Sequence, residues 1–164
     1  MARYITITLT KSGVSCRARL LDEEAPGTCG AVWDALPQEA DAFHAKYARN
    51  ELYTLVPRIS AAPHRENPTV TPIPGDVCLF DFEAWEIGNP AYGYAEGSAA
   101  QHDQGATDLA IFYGRNNLLI NGDQGWVPGN VFATIEDGLA DIAAACNALW
   151  IDGVRGETLA FARA

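Results

Sequence analysis

The stretch YITITLTKSGVSCRARL, residues 4–20, decides the fold prediction. In its first part isoleucine and leucine alternate with threonine, and over residues 14–20 apolar side chains alternate with serine and arginine. Alternation with a period of two is typical of a β-strand that has one buried face. Ser12-Gly13, between the two parts, is a turn signal. The stretch therefore predicts an antiparallel hairpin.

Two other segments have the period of a helix. After Pro26, apolar side chains recur every three or four residues up to Leu36, which predicts a helix over residues 26–36. A similar stripe that ends at Trp150 predicts a second helix over residues 136–150. Thr134-x-x-Asp137 has the form of a capping box, so we expect the second helix to begin there.

Strand-like patterns lie at residues 42–56, 77–82, 109–113 and 157–161. Several short strands with few helices favour a barrel or a sandwich, and a strand near the C-terminus favours a closed barrel, because closure removes sheet edges. We predict a mainly β fold in a single domain over residues 1–164. Its core is a closed barrel of about eight strands with two covering α-helices. Residues 83–106, rich in glycine and alanine, predict a long loop insertion that covers a functional site.

Charge and composition exclude several classes of function. The net charge is −10, and the eleven basic residues form no stripe, so we expect no nucleic-acid partner. No apolar run approaches the roughly 20 residues that span a bilayer, and no secretory leader pattern is present, so we expect a cytoplasmic protein without a membrane partner. The four cysteines lie far apart on apolar faces, which predicts buried thiols.

The order of elements resembles that of cyclophilins. Glu24-Ala25-Pro26-Gly27-Thr28 is similar to the Ala-Pro-x-Thr start of a cyclophilin helix, and Phe43-His44 stands where those enzymes carry Phe-His-Arg. Shorter pieces resemble bacterial and archaeal cyclophilin-like proteins of unknown function. These pieces are Glu51-Leu52-Tyr53, Glu66-Asn67-Pro68, Pro74-Gly75-Asp76-Val77, Ala110-Ile111-Phe112-Tyr113-Gly114 and Gly129-Asn130-Val131-Phe132.

The resemblance extends over residues 4–163 and implies a cyclophilin-like barrel. It departs from the enzymes at one position, because Ala45 stands where prolyl isomerases have the arginine that contacts the substrate. We therefore expect no prolyl isomerase activity.

Seven residues are candidates for ligand binding. They are His44, Glu51, Glu66, Asn67, Tyr113, Trp126 and Asn130. An imidazole beside a carboxylate can act as a general base, and a carboxylate and amide held between prolines form a preorganised polar pair. Tyrosine, indole and amide side chains can form a pocket wall. We predict that the first four of these residues share one hydrogen-bonded cleft.

Structural roles are the alternatives: a half-buried histidine, turn chemistry at Glu66-Asn67, a core position for Tyr113, and a subunit interface at Trp126. Catalytic residues are not identifiable. We expect no cofactor, and no metal site, because His-x-His and Glu-x-x-His spacings are missing. The favoured function is binding of, or action on, a small polar carboxylate or amide metabolite. Its rivals are a weak prolyl isomerase and an interaction module that forms homo-oligomers.

Overall fold

The computed structural model describes residues 2–164 and consists mainly of β-strands. The strands are β1 (Tyr4–Leu9), β2 (Val14–Leu20), β3 (Gln38–His44), β4 (Glu51–Pro57), β5 (Pro68–Thr69), β6 (Asp76–Phe82), β7 (Ala106–Phe112), β8 (Ile120–Asn121), β9 (Gly125–Trp126), β10 (Gly129–Asp137) and β11 (Thr158–Arg163). The α-helices are α1 (Pro26–Ala35), α2 (Ala84–Ile87) and α3 (Leu139–Asp152).

Eight strands form a closed antiparallel barrel in the order β2-β1-β11-β3-β4-β7-β6-β10, and pairing of β10 with β2 closes it. β5 adds to the edge of β10, while β8 and β9 form a separate two-stranded hairpin. The predicted hairpin at residues 4–20 is confirmed, with Ile7 opposite Cys16. The predicted mainly β, closed barrel of about eight strands is confirmed as well.

The barrel interior is filled by the inward side chains of alternating positions. In β1, Ile5, Ile7 and Leu9 are fully buried, whereas the threonines between them are partly exposed. In β7 both faces are buried. One face of β7 points into the barrel core, and the other lies beneath a second apolar layer on the outside. This outer layer positions the candidate site.

Both long helices pack on the barrel core, α1 through Cys29 and Val32 and α3 through Ile142 and Cys146. The predicted capping box at residues 134–137 is wrong. These residues belong to β10, which pairs there with β2, and α3 begins only after Gly138. Gly138 has φ of +79°, and a Cβ there would lie 2.9 Å from a carbonyl oxygen of β2, so the chain can turn here only with glycine.

The segment 83–105, here called the flap, connects β6 with β7. It contains α2 and two short 3₁₀ turns rather than irregular loop alone. Ile87 and Ala100 of the flap are buried against Leu55. Arg58, which follows β4, binds both ends of the flap. Its guanidinium donates hydrogen bonds to the Glu83 carboxylate and to the carbonyl oxygen of Gln104.

The cysteines occupy apolar positions in two strands and two helices, and all four are buried and free of disulfide bonds. In the part of the chain that the structure describes, no helix has both the length and the apolar character to cross a membrane.

Candidate functional site

The candidate site lies on the outer face of the barrel wall formed by β4, β6 and β7. On β4, Leu52 and Val56 point into the barrel core, so Glu51, Tyr53 and Leu55 point outward. Strand pairing places Leu55 opposite Asp108 of β7, so Glu51 and Asp108 lie on the same outer face with Tyr53 between them. Register alone thus brings two acidic side chains to one wall.

The flap and residues 119–127 lie over this wall and leave a partly open cavity of about 120 Å³, here called the carboxyl pocket. Its apolar lining comes from the barrel wall and from the segments that lie over the wall. The apolar residues are Ala45, Ala48, Leu55, Phe80, Phe82, Ile87, Leu119, Ile120 and Val127. Glu51 and Asp108 line the same cavity. The pocket therefore combines an apolar surface with two acidic groups.

Burial favours the protonated form of these two acidic groups. Each residue is only 6% exposed. Burial raises the pKa of Glu51 to about 8. Burial, together with the nearby charge of Glu51, raises the pKa of Asp108 well above its usual range. Among the described residues, the buried Oδ1 atom of Asp108 has no hydrogen-bond partner. The wall thus holds a buried carboxyl oxygen whose capacity for hydrogen bonding is unused.

The other polar groups around the pocket, apart from the exposed Tyr47, are already partnered. The Tyr53 and Tyr94 hydroxyl oxygens are 2.6 Å apart, Lys46 Nζ donates to the Tyr92 carbonyl oxygen (3.2 Å), and Asn121 Nδ2 donates to Tyr92 Oη (3.2 Å). Gln124 Nε2 donates to the Glu86 carbonyl oxygen (2.7 Å), and the backbone amide of Glu83 donates to Glu86 Oε2 (2.7 Å). The carboxyl groups of Glu51 and Asp108 take no part in these hydrogen bonds.

A protonated carboxyl group both donates and accepts a hydrogen bond. With a pKa of about 8, Glu51 can also release or take up a proton near neutral pH, which is the requirement for general acid–base chemistry. Among residues 2–164, no cluster of three or more His, Cys, Asp or Glu side chains is arranged to hold a metal ion.

His44 lies next to the carboxyl pocket but points away from it. Its Nε2 atom is 2.6 Å from the hydroxyl of Tyr113, its Nδ1 atom is 3.2 Å from the carbonyl oxygen of Ala45, and its ring packs on Trp150. Burial lowers the pKa of His44, so the ring is neutral at pH 7. A neutral ring with Nδ1–H donating to the carbonyl accepts the Tyr113 hydroxyl at Nε2.

Glu66 and Asn67 lie in the proline-rich segment against α1 and β10. The Glu66 carboxylate accepts hydrogen bonds from the amides of Gly27 and Thr28 and from the Thr28 hydroxyl. Burial alone would raise the pKa of Glu66, but these three hydrogen bonds lower it. Asn67 donates to the carbonyl oxygen of Val131.

Asn130 also binds the proline-rich segment. Its side chain accepts a hydrogen bond from the Glu66 backbone amide and donates to the carbonyl oxygens of Pro63 and His64. Trp126 stands apart in the β8–β9 hairpin, opposite Ile120, and is 57% exposed. Of the seven candidates, only Glu51 lines the carboxyl pocket. The predicted shared network of His44, Glu51, Glu66 and Asn67 is wrong. His44 bonds to Tyr113, Glu66 and Asn67 bond to other segments, and Glu51 lines the carboxyl pocket.

Asp108 is the site residue that sequence reasoning missed. Its strand, ATDLAIF, is otherwise apolar apart from one threonine and is buried throughout. Burial of an acidic residue inside such a strand costs desolvation free energy. An aspartate in an otherwise apolar strand is therefore a sequence signal for a functional position. The sequence did not show that Asp108 shares a face with Glu51, because the pairing of β4 with β7 joins distant segments.

Comparison with known proteins identifies the family. The model of a family described as "Protein of unknown function (DUF3830)" matches residues 7–161. No curated protein matches the chain.

Two solved structures share the fold. McbB in complex with tryptophan superposes with a TM-score of 0.65 at 17% identity, over 97% of this chain and 44% of that chain. The hypothetical protein AF2241 from Archaeoglobus fulgidus gives a TM-score of 0.51 at 20% identity, over 99% of this chain and 95% of that chain. This chain thus spans less than half the length of McbB. The predicted resemblance to barrel proteins of unknown function is confirmed, and the chain belongs to the DUF3830 family of proteins of unknown function.

Proposed function

We propose that the protein binds a small neutral molecule that carries an amide group, and that Glu51 and Asp108 hold that group in the carboxyl pocket. The observation that carries the proposal is the buried Oδ1 atom of Asp108, which has no partner among the described residues. A buried polar atom without a partner costs about 1–3 kcal/mol. A ligand that donates a hydrogen bond to this atom would remove that cost.

The protonation state of the pair favours an amide over a carboxylate. A protonated carboxyl group offers one O–H donor and a carbonyl acceptor, which match the carbonyl and N–H of an amide. A carboxylate ligand would instead need a cation, and the lining cation, Lys46, is exposed and bound to the Tyr92 carbonyl oxygen. The expectation of a carboxylate or amide metabolite therefore narrows to an amide.

The size of the pocket limits the ligand. A cavity of about 150 Å³ is known to hold benzene, and the carboxyl pocket has about 120 Å³. A ligand of about six non-hydrogen atoms fits this volume. Apolar side chains such as Phe80 and Leu119 would contact the part of the ligand that is not the amide. Isobutyramide has this size and composition.

A solved structure of similar fold also supports a small-molecule ligand, since McbB is described in complex with tryptophan. At 17% identity this likeness is one of fold alone. The cytoplasmic location and the absence of nucleic-acid and membrane partners stay predictions from the sequence.

The experiment is calorimetric titration of isobutyramide, isobutyrate and isobutylamine into wild type, Glu51→Leu and Asp108→Leu at pH 7. Glu96→Leu, at an exposed flap position outside the pocket lining, is the matched control. We expect isobutyramide to bind wild type and the control equally. Because each variant loses the hydrogen-bond donor and acceptor of one of the two carboxyl groups, we expect binding about tenfold or more weaker in both. Tighter binding of the acid or the amine, or equal amide binding in all four proteins, would refute the proposal.

Self-association is a second candidate function, favoured by an exposed apolar surface. Trp126, Ile120 and Leu118 are 57%, 44% and 42% exposed, and Ile120 and Trp126 are paired in the β8–β9 hairpin. We propose a second copy of this chain as the partner. Light scattering of wild type and Trp126→Ala tests it: a dimer that becomes a monomer supports the interface, and an unchanged mass contradicts it.

A further inference from the structure

A second cavity of about 260 Å³ adjoins the carboxyl pocket. It is here called the aromatic groove, because five of its lining residues are Phe43, Tyr53, Tyr92, Tyr94 and Trp150. Four residues line both cavities: Lys46, Tyr53, Tyr92 and Tyr94. The two cavities are therefore neighbours that share one wall.

The shared wall is held closed by a pair of tyrosines. Tyr53 comes from β4 of the barrel and Tyr94 from the flap, and their hydroxyl oxygens are 2.6 Å apart. The ring of Phe43 packs on both, with centroid distances of 5.5 Å to Tyr53 and 5.2 Å to Tyr94. The Tyr94 ring is thus fixed from two sides, by one hydrogen bond and one edge-on aromatic contact.

The rest of the flap is attached less firmly near this point. Lys46 donates to the Tyr92 carbonyl oxygen at 3.2 Å, and the Tyr92 hydroxyl donates to Asp123 at 3.3 Å, both at exposed positions. Arg58 holds the two ends of the flap, and Ile87 and Ala100 are buried against Leu55. Between Ile87 and Ala100, Tyr94 is the flap residue that bonds to the wall shared by the two cavities.

We propose that Tyr94 is the size-selecting residue of the site. While it is bonded to Tyr53, the carboxyl pocket is separate from the aromatic groove and admits a ligand of about benzene size. When Tyr94 moves away, the two cavities join and their space approaches the roughly 300–1,000 Å³ of ordinary ligand sites. This inference rests on the proposed amide binding, and it adds the residue that sets the upper size limit of the ligand.

Titration of two amides into wild type and Tyr94→Ala tests the inference. Isobutyramide fits the carboxyl pocket, whereas benzamide adds a ring that reaches the groove. We expect wild type to bind benzamide about tenfold or more weakly than isobutyramide, and Tyr94→Ala to gain about tenfold for benzamide. Isobutyramide affinity should change by less than about threefold, because its contacts with the carboxyl pair remain.

Two further variants serve as controls. Tyr94→Phe keeps the ring and its contact with Phe43 but loses the hydrogen bond to Tyr53, so its affinity for benzamide should lie between those of wild type and Tyr94→Ala. Trp85→Ala removes an exposed aromatic ring of the flap that lines neither cavity, and it should not admit benzamide. Circular dichroism establishes beforehand that each variant is folded.

Benzamide binding to wild type as tight as isobutyramide binding, or no gain in Tyr94→Ala, would overturn the size-selecting role while the amide proposal stands. If isobutyramide binds neither protein, the amide proposal fails. Indole then decides the role of Tyr94, because it needs no amide pairing. A gain of indole binding in Tyr94→Ala would uphold the partition, and equal binding to both proteins would overturn it.

Discussion

Glu51→Gln removes an acidic group from the carboxyl pocket while keeping its shape. Burial raises the pKa of Glu51 from 4.5 to about 8 in the folded protein. Between these two pH values the folded protein holds a proton that the unfolded chain has released, so the free energy of unfolding falls as pH rises. The stabilising contribution is fully present below pH 4.5 and is lost as pH rises through about 8.

The size of this loss of stability follows from the difference between the two pKa values of Glu51. One proton changes the free energy of unfolding by about 1.4 kcal/mol per pH unit. Over the interval from 4.5 to about 8, the loss amounts to about 5 kcal/mol. The Glu51 charge also raises the pKa of Asp108, and the substitution removes that contribution too. Folded domains have only about 5–15 kcal/mol of stability, so the effect is large.

Urea unfolding of wild type and Glu51→Gln between pH 5 and pH 9 measures it. We expect the variant to gain stability relative to wild type by several kcal/mol across this range, because its amide does not titrate. Glu96→Gln, which changes an exposed carboxyl group on the flap, should give a curve parallel to wild type. Parallel curves for Glu51→Gln and wild type would refute a buried, protonated Glu51.

Three other predictions test the roles assigned to Glu66, Asn130 and Ala45. Glu66→Gln should lower the free energy of unfolding by about 1–2 kcal/mol, because the carboxylate accepts three hydrogen bonds at the start of α1; an unchanged urea midpoint would count against that role. Asn130→Ala should cost about 2–3 kcal/mol by the same measurement, since it strands one amide and two carbonyl groups. Wild type should not accelerate cis–trans isomerisation of a proline peptide, because Ala45 supplies no donor to the substrate; catalysis at rates typical of cyclophilins would contradict this.

The barrel was predictable because its inward and outward positions differ in chemistry. Ile5 and Ile7 alternate with threonine, and the structure buries the isoleucines and leaves the threonines partly exposed. β7 lacks this alternation because the flap and the outer layer bury its second face. The start of α3 was mispredicted because residues 134–137 satisfy a helix-capping pattern and also pair with β2, and the pairing prevails.

The site was predictable only in part. The sequence predicts Glu51 as a partner for His44, but in the structure Glu51 lines the same pocket as Asp108. Glu66 and Asn130 have the composition of a polar site, yet their hydrogen bonds go to backbone groups that hold the proline-rich segment. The identity of single side chains does not determine which strands pair. The register of β4 against β7 is therefore known only from the structure.

Carbon-13 NMR of the side-chain carboxyl carbons of Glu51 and Asp108, recorded at pH 7 with and without isobutyramide, tests the central claim most directly. The account predicts that Glu51 gives the chemical shift of a protonated carboxyl group, titrates near pH 8, and moves together with Asp108 when the amide is added. An ionised Glu51 at pH 7, with neither carboxyl signal responding to the amide, would contradict it.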